Sequence, residues 1–261
     1  MILNHTVSGN GEIIILLHGM AASLHYWDMV VGELGPDYRI IRLDLMGFGD
    51  SPKPDDADYD YMSHCQSIIE TLDQLGVTEP ATLVGHSMGA LLAARLAADH
   101  PERFKRLVLV AMPVLADLAA AKQVITRSSK LLGLAYYGQS SHLLCALWCR
   151  WLRPLSRLMT GFYLPKLPRR VAQDTLKHTW RSYSVSMSQI IERPTAVEDL
   201  ARVKLPVALL YGDSDQLARP EQLPESLTKQ DNMVAKSLPG GHHLPLDQPK
   251  AVSDLITLKL K

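Results

Sequence analysis

The chain has 261 residues, of which 47% are hydrophobic, and its 27 Lys and Arg balance its 27 Asp and Glu. This size suits one large domain with a sizeable core, and the zero formal net charge gives no reason to expect nucleic acid as a partner. Three cysteines, no signal-peptide pattern at the start and no apolar run of the ~18 residues that a membrane span needs lead us to predict a soluble cytoplasmic protein without a transmembrane segment.

Strands and helices alternate along the first part of the chain. Residues 13–17 form a fully apolar, β-branched run, which is typical of a strand buried on both faces of a parallel sheet. One or two edge strands are expected before it. The predicted strands of this part are residues 13–17, 40–45, 81–84 and 107–111, and the predicted helices are residues 61–75 and 90–98.

Residues 118–193 interrupt this alternation. They are rich in Leu, Trp, Tyr and Met, and prolines at positions 154, 165 and 168 divide them. We interpret this segment as several helices inserted between two strands of the sheet, where they form a cap over the cleft. After it the alternation returns, with predicted strands at residues 207–211 and 233–238 and predicted helices at residues 221–227 and 249–258.

Strands that alternate with helices predict an α/β fold with a doubly wound, mostly parallel sheet. Because of the insertion, two separate stretches of the sequence are expected to form the core. Residues 1–117 and 194–261 would form the core, and residues 118–193 would form an inserted α-helical cap.

The sequence Gly85-His86-Ser87-Met88-Gly89 stands between a predicted strand and a predicted helix. A Gly-x-Ser-x-Gly pattern at such a junction is typical of a nucleophile elbow, a sharp turn that projects the serine oxygen into a cleft. The two glycines leave room for neighbouring backbone that a Cβ atom would block. Ser87 is therefore the candidate nucleophile.

Partners for a serine nucleophile follow later in the chain. A serine hydroxyl reacts well only when a base removes its proton and a third group orients that base. Two aspartates, Asp213 and Asp215, follow the predicted strand at 207–211, and two histidines, His242 and His243, follow the last predicted strand. Both loops lie beyond the carboxyl ends of strands, where ligands bind in doubly wound sheets. The residues alone leave the acid and the base open within each pair.

Five motifs, in this order, resemble those of the α/β-hydrolase fold superfamily over essentially the whole chain. They are His18-Gly19-Met20, residues 44–51, residues 85–89, residues 212–215 and Gly241-His242. The resemblance implies a serine carboxylesterase-like member with a helical cap. In such a member Ser87 is the nucleophile, His242 is the general base and acid because it directly follows glycine, and Asp215 orients the imidazole because it completes Gly-x-x-Asp. Asp213 would then be a turn carboxylate.

The same resemblance implies an oxyanion hole made of the backbone amides of Met20 and Met88. His18 is expected to brace its loop, and Asp44 with the following glycine-rich turn is expected to shape the floor of the cleft. A serine at the elbow argues against haloalkane dehalogenase and epoxide hydrolase activity, for which the resembling enzymes carry aspartate. No phosphate loop, metal-ligand cluster or dinucleotide fingerprint is present, so we expect no cofactor and no metal.

The charge is unevenly distributed. Residues 118–193 contain twelve Lys and Arg but two Asp and Glu, which makes this segment +10 and the rest of the chain −10. One interpretation is that basic cap helices lie against acidic loops of the core. The other is that the cap offers a positive surface to an acidic partner, such as an acyl carrier protein, coenzyme A or anionic lipid headgroups.

These observations together predict a serine hydrolase that cleaves a carboxylic ester or thioester with an apolar acyl group through an acyl-enzyme intermediate. One alternative is a C–C bond hydrolase acting on a ring-cleavage product, whose carboxylate would suit a basic cap. The other is a triad-bearing ligand receptor in which hydrolysis is slow. The sequence leaves the acyl length, the alcohol group and the oligomeric state open.

Overall fold

The computed structural model describes residues 1–114, 141–147 and 151–258. It contains a seven-stranded sheet in the order β1-β3-β2-β4-β5-β6-β7. The strands are β1 (His5–Ser8), β2 (Glu12–Leu17), β3 (Tyr38–Leu43), β4 (Ala81–His86), β5 (Phe104–Val110), β6 (Val207–Gly212) and β7 (Met233–Leu238). β1 pairs antiparallel with β3, and each of the other neighbouring pairs is parallel. The predicted α/β fold, its mostly parallel sheet and an edge strand before residue 13 are confirmed.

Both faces of the sheet are covered, as β2 illustrates. Ile13, Ile15 and Leu17 belong to one hydrophobic cluster, whereas Ile14 and Leu16 belong to another. Because successive side chains of a strand point to opposite faces, a strand between two helical layers favours a nearly continuous apolar run. The continuous apolar run in the sequence is therefore explained by its central place in a doubly wound sheet.

Three helices of the first half form the layers around these strands. They are α1 (Asp28–Leu34), α2 (Tyr61–Gln74) and α3 (Met88–Asp99). α2 begins where the Asp60 carboxylate accepts a hydrogen bond from the Ser63 amide at 2.8 Å, and it ends before Gly76, whose φ is +65°. These are the capping groups that helix ends require.

Between β5 and β6 the described residues are helical. The elements are α4 (Ser141–Ala146), α5 (Arg153–Tyr163), α6 (Arg169–Asp174), α7 (Trp180–Ser186), a π-helical turn (Met187–Ile191) and α8 (Ala196–Arg202). This agrees with the helical character predicted for residues 118–193. The division into a core and a cap stays a prediction, and the boundary at residues 117 and 118 lies outside the described residues.

The predicted helix at residues 221–227 is wrong as a single element. A 3-10 turn at Pro220–Gln222 is followed by a separate helix, α9 (Glu225–Thr228). Pro224 separates them, because the residue before a proline avoids the helical region, and Leu223 is extended with ψ of 143°. The last helices of the described residues are α10 (Leu244–Asp247) and α11 (Pro249–Thr257). Helix α1 is not among the predicted elements.

No helix within the described ranges is both long and apolar enough to cross a membrane. The cytoplasmic location stays a prediction.

Candidate active site

Ser87 lies in the turn between β4 and α3, with φ of +53° and ψ of −120°. A positive φ is strained for a residue with a side chain and is held only where the surroundings enforce it. The flanking glycines show how tightly the backbone is packed: a Cβ atom on Gly85 would lie 2.2 Å from the Gly89 carbonyl oxygen, and one on Gly89 would lie 2.5 Å from that of His18. The sharp turn predicted from the Gly-x-Ser-x-Gly pattern is therefore present.

A chain of hydrogen bonds joins Ser87 to the ends of two other strands. The Ser87 Oγ atom lies 2.9 Å from Nε2 of His242, and Nδ1 of His242 lies 2.8 Å from Oδ2 of Asp215. Because an ionised carboxylate only accepts hydrogen bonds, Nδ1 carries the ring proton and Nε2 accepts from the serine hydroxyl. The three side chains come from the carboxyl ends of β4, β6 and β7, which the parallel sheet brings together.

Asp215 is held as a carboxylate. Its other oxygen, Oδ1, accepts hydrogen bonds from the amides of Leu217 at 2.8 Å and Ala218 at 3.3 Å. Burial by itself raises the pKa of this carboxyl, but the hydrogen bonds from His242 and from the two amides outweigh it and lower the pKa below the usual range of aspartate. Asp215 is therefore ionised at neutral pH and able to orient the imidazole.

The second member of each pair lies elsewhere. Asp213 is exposed, and its Oδ1 atom accepts a hydrogen bond from the Gly240 amide at 3.1 Å, so it ties two loops together as a turn carboxylate. His243 has its Nδ1 atom 3.0 Å from the hydroxyl of Tyr26. The structure thus brings Asp215 and His242 to Ser87 and leaves Asp213 and His243 outside this chain of bonds.

Two buried residues behind the site had no role in the sequence analysis. His86 donates from Nε2 to the carbonyl oxygen of His242 at 2.8 Å, and the Tyr26 hydroxyl lies 3.2 Å from the same nitrogen. Burial lowers the pKa of both His86 and His243 and raises that of Tyr26, so all three are neutral. These bonds position the loop that carries His242. The position of His86 inside the motif was the only signal for this layer in the sequence.

The loop after β2 packs against the serine. A Cβ atom on Gly19 would lie 3.1 Å from the Cβ of Ser87. His18 donates from Nδ1 to the Gly19 carbonyl oxygen at 2.6 Å and accepts at Nε2 from the Leu45 amide at 2.9 Å. Burial lowers its pKa and keeps it neutral, which suits this bracing geometry. Met20 follows on the same loop and is half-buried, while Met88 is the buried first residue of α3.

Asp44 holds the loops at the floor of this region. Its Oδ1 atom accepts from the Leu24 amide at 2.6 Å, and its Oδ2 atom accepts from the Asn4 side chain at 2.7 Å and from the Asp50 amide at 2.8 Å. With these partners its carboxylate binds protein groups of three separate loops. In the described parts of the chain, no three His, Cys, Asp or Glu side chains lie together as metal ligands.

The sheet order is that of an α/β hydrolase architecture. The site agrees with it, because the serine lies at a strand-to-helix turn and bonds a histidine, which in turn bonds an aspartate, both from the ends of later strands. The sequence agrees, because the model of the alpha/beta hydrolase fold family matches residues 12–249. The chain belongs to this family.

Individual relatives cover a range of activities. The probable lysophospholipase BODYGUARD 4 of Arabidopsis thaliana is 28% identical over 229 residues, which are 82% of this chain and 55% of that protein. The 2-hydroxymuconate semialdehyde hydrolase of Pseudomonas sp. (strain CF600) is 37% identical over 109 residues, 40% of this chain and 37% of that protein. The chain spans about half the length of the first of these relatives.

A solved structure, the thioesterase domain from the curacin biosynthetic pathway, superimposes with a TM-score of 0.70. The alignment covers 97% of this chain and 94% of that one at 24% sequence identity. At this identity the likeness shows the shared fold.

Proposed function

We propose that this chain is a serine hydrolase that cleaves a carboxylic ester or thioester with an apolar acyl group through an acyl-enzyme intermediate. The observation that carries the proposal is the continuous chain of hydrogen bonds from Ser87 through His242 to Asp215. Ser87 Oγ attacks the carbonyl carbon while Nε2 of His242 takes its proton, and Asp215 stabilises the imidazolium that forms. His242 then returns the proton to the leaving group, and water hydrolyses the acyl-enzyme.

The tetrahedral intermediate needs donors for its oxyanion, and we assign this role to the backbone amides of Met88 and Met20. Met88 is the first residue of α3, so its amide has no acceptor within the helix, and the positive end of the helix dipole lies beside it. The contact between Gly19 and Ser87 supports a second donor on the adjacent loop. No cofactor is needed for this chemistry.

The nature of the nucleophile and one relative support an ester substrate. Serine at the elbow forms an acyl-enzyme, and the relative from Arabidopsis thaliana is named a probable lysophospholipase. A thioester on an acidic carrier, either an acyl carrier protein or coenzyme A, uses the same attack and is included in the proposal.

Hydrolysis of a p-nitrophenyl ester series from acetate to laurate, with wild type beside Ser87→Ala, tests the proposal. We expect an optimum at one acyl length and a loss on the order of 10⁶ in turnover number in the variant, because removal of the nucleophile abolishes the acyl-enzyme route. Ser188→Ala, which removes a hydroxyl bonded only within its own helix turn, serves as the control and should remain active. A Ser87→Ala protein that keeps a tenth of the wild-type rate would overturn the assignment.

The acid is tested by a matched pair of variants. Asp215→Asn should lower the turnover number about 10⁴-fold, since the amide no longer holds the productive tautomer of His242. Asp213→Asn should stay near the wild-type rate, because this side chain contacts the Gly240 amide and not the imidazole. Steady-state rates on the best ester of the series measure both. A collapse in Asp213→Asn alone would reverse the two assignments.

A second candidate is C–C bond hydrolysis of a ring-cleavage product. The identity to 2-hydroxymuconate semialdehyde hydrolase favours it, although that match covers 40% of this chain. Turnover of a dienoate substrate, dependent on Ser87, together with no turnover on any ester, would select this candidate. Absence of Ser87-dependent turnover on both substrate types would favour a ligand receptor.

A further inference from the structure

Helix α5 is oriented with its apolar side outward. Ser156 and Thr160 are completely buried, whereas Leu158 is 70% exposed and Phe162 is 84% exposed. A helix on the surface of a globular protein normally buries its apolar stripe and exposes its polar one. The reversal means that burial against the described residues does not explain the apolar side chains of α5.

The exposed apolar residues form one stripe. Along α5, spacings of three, four and seven residues place side chains on the same face of the helix. Four exposed apolar residues of α5 have these spacings, and Trp151, which is 76% exposed, precedes the helix. We call these five residues the outer face: Trp151, Leu155, Leu158, Met159 and Phe162. Contiguous exposed patches of this kind mark interaction surfaces.

Exposed basic residues lie on the helix of the outer face and on the loop and helix that follow it. Residues 118–173 contain no Asp or Glu. Four exposed basic residues, which we call the basic rim, belong to α5, α6 and the loop between them; they are Arg157, Lys166, Arg169 and Arg170. Among the described residues, no acidic side chain lies within ion-pair distance of this rim. Lys177 differs, because it pairs with Asp50 of the core at 2.8 Å and with Asp174 at 3.1 Å.

We propose that the outer face docks on a lipid surface that contains anionic headgroups. Trp, Phe and Leu on one side of a helix enter the boundary between headgroups and acyl chains, and nearby Lys and Arg attract anionic lipid phosphates. The apolar outer face on α5, together with a basic rim on α5, α6 and the loop between them, combines the two features of an interfacial helix. An acidic protein would also satisfy the basic rim, and the experiment below treats it as a separate outcome.

The docked helix is connected to the candidate active site. α5 contacts α6, where the Gln173 side chain donates to the Arg157 carbonyl oxygen at 3.3 Å. Val171 of α6 packs against Tyr26, whose hydroxyl bonds His243 next to His242. Helix α6 therefore packs against Tyr26, which contacts the loop of His242, and docking of α5 would hold this loop near the lipid.

Co-sedimentation with vesicles tests the proposal, and it does not depend on the proposed chemistry because Ser87→Ala protein is used throughout. Phosphatidylcholine vesicles with and without phosphatidylglycerol are compared at low and high salt. We expect binding to the anionic vesicles, weaker binding to the neutral ones and weakening by salt. The Leu158→Ser/Phe162→Ser protein should lose on the order of tenfold or more in partitioning, and Arg169→Gln/Arg170→Gln should lose about fivefold for each charge removed.

The matched controls change one exposed apolar residue and one exposed basic residue that lie outside the outer face and the basic rim. Met62→Ser changes a methionine of α2 that is 70% exposed, and Lys204→Gln removes an exposed charge far along the chain; both should bind like the parent. All variants lie at exposed positions, and circular dichroism checks that each is folded. Three results would overturn the proposal: no binding to anionic vesicles, equal binding to neutral vesicles, or binding that persists in the outer-face and basic-rim variants. Saturable binding to an acidic acyl carrier protein instead of vesicles would assign the surface to that partner.

Discussion

Helices α3 and α5 have 12 and 11 residues, but they bury opposite kinds of side chain. α3 buries leucine, alanine and glycine on nearly all sides, between the sheet and helix α8. α5 buries Ser156 and Thr160 and exposes leucine, methionine and phenylalanine. The comparison shows that a helical pattern in the sequence specifies an apolar face without specifying what that face contacts.

The largest expected difference between the two helices comes from truncating a leucine in each. Leu92→Ala in α3 should lower the free energy of unfolding by about 2–5 kcal/mol, because it leaves a cavity at a fully buried position. Leu158→Ala in α5 should change it by no more than about 0.5 kcal/mol, since this side chain is exposed. Urea denaturation measures both. Equal losses would mean that the outer face is covered in solution.

Glycine-to-alanine changes should also distinguish α3 from α5. A Cβ atom on Gly89 of α3 would lie within 2.6 Å of the carbonyl oxygens of Leu17 and His18, so Gly89→Ala should cost about 3 kcal/mol. Gly161 of α5 has no described atom within 4 Å of its Cβ position, so Gly161→Ala should stabilise the protein by about 0.5–1 kcal/mol through helix propensity. Thermal unfolding detects both signs. If Gly161→Ala destabilised the protein, this would indicate that another group packs against α5 at this position.

A pH effect is expected where α2 contacts α7. His64 of α2 is fully buried, its Nε2 atom lies 3.2 Å from the Ser186 hydroxyl of α7, and burial lowers its pKa to about 3. Below pH ~6.5 the unfolded chain binds a proton at His64, whereas the native protein does not. The contribution of His64 to the free energy of unfolding is therefore fully present above that pH, and it falls by about 1.4 kcal/mol per pH unit toward pH 3.

Urea midpoints of wild type and His64→Gln between pH 7 and pH 5 measure this contribution as a difference in slope. His64→Gln should flatten the dependence, and His100→Gln, which changes a half-exposed histidine, is the surface control. Parallel slopes for wild type and His64→Gln would show that His64 is protonated in the native state.

The sequence predicted the sheet well because its signals are local. The buried runs at residues 13–17 of β2 and 207–210 of β6 are apolar at every position, and a strand covered on both sides favours that pattern. The prediction was less successful where a local pattern was ambiguous. The predicted helix at residues 221–227 spans Pro224, where the structure has two separate elements, and α1 is not among the predicted helices although its apolar residues recur at helical spacing.

Some residues of the candidate site were likewise predictable from a local pattern, and others were not. Ser87 was identified from five consecutive residues, because the glycines and the turn act within that segment. Tyr26 could not be identified, because its role depends on a hydroxyl that lies between His86 and His243, 60 and 217 positions away in sequence. Such a contact has no periodicity and no spacing that a single sequence displays.

The sequence by itself determined the alternating elements, the turn at Ser87 and the family, since burial on both faces and the absence of a Cβ atom are requirements that each segment meets alone. Only the tertiary structure decided which aspartate and which histidine reach Ser87, and which side of α5 faces outward. These outcomes depend on how strand ends and helices meet across the fold, where a displacement of two residues takes Asp213 to a turn and Asp215 to the imidazole.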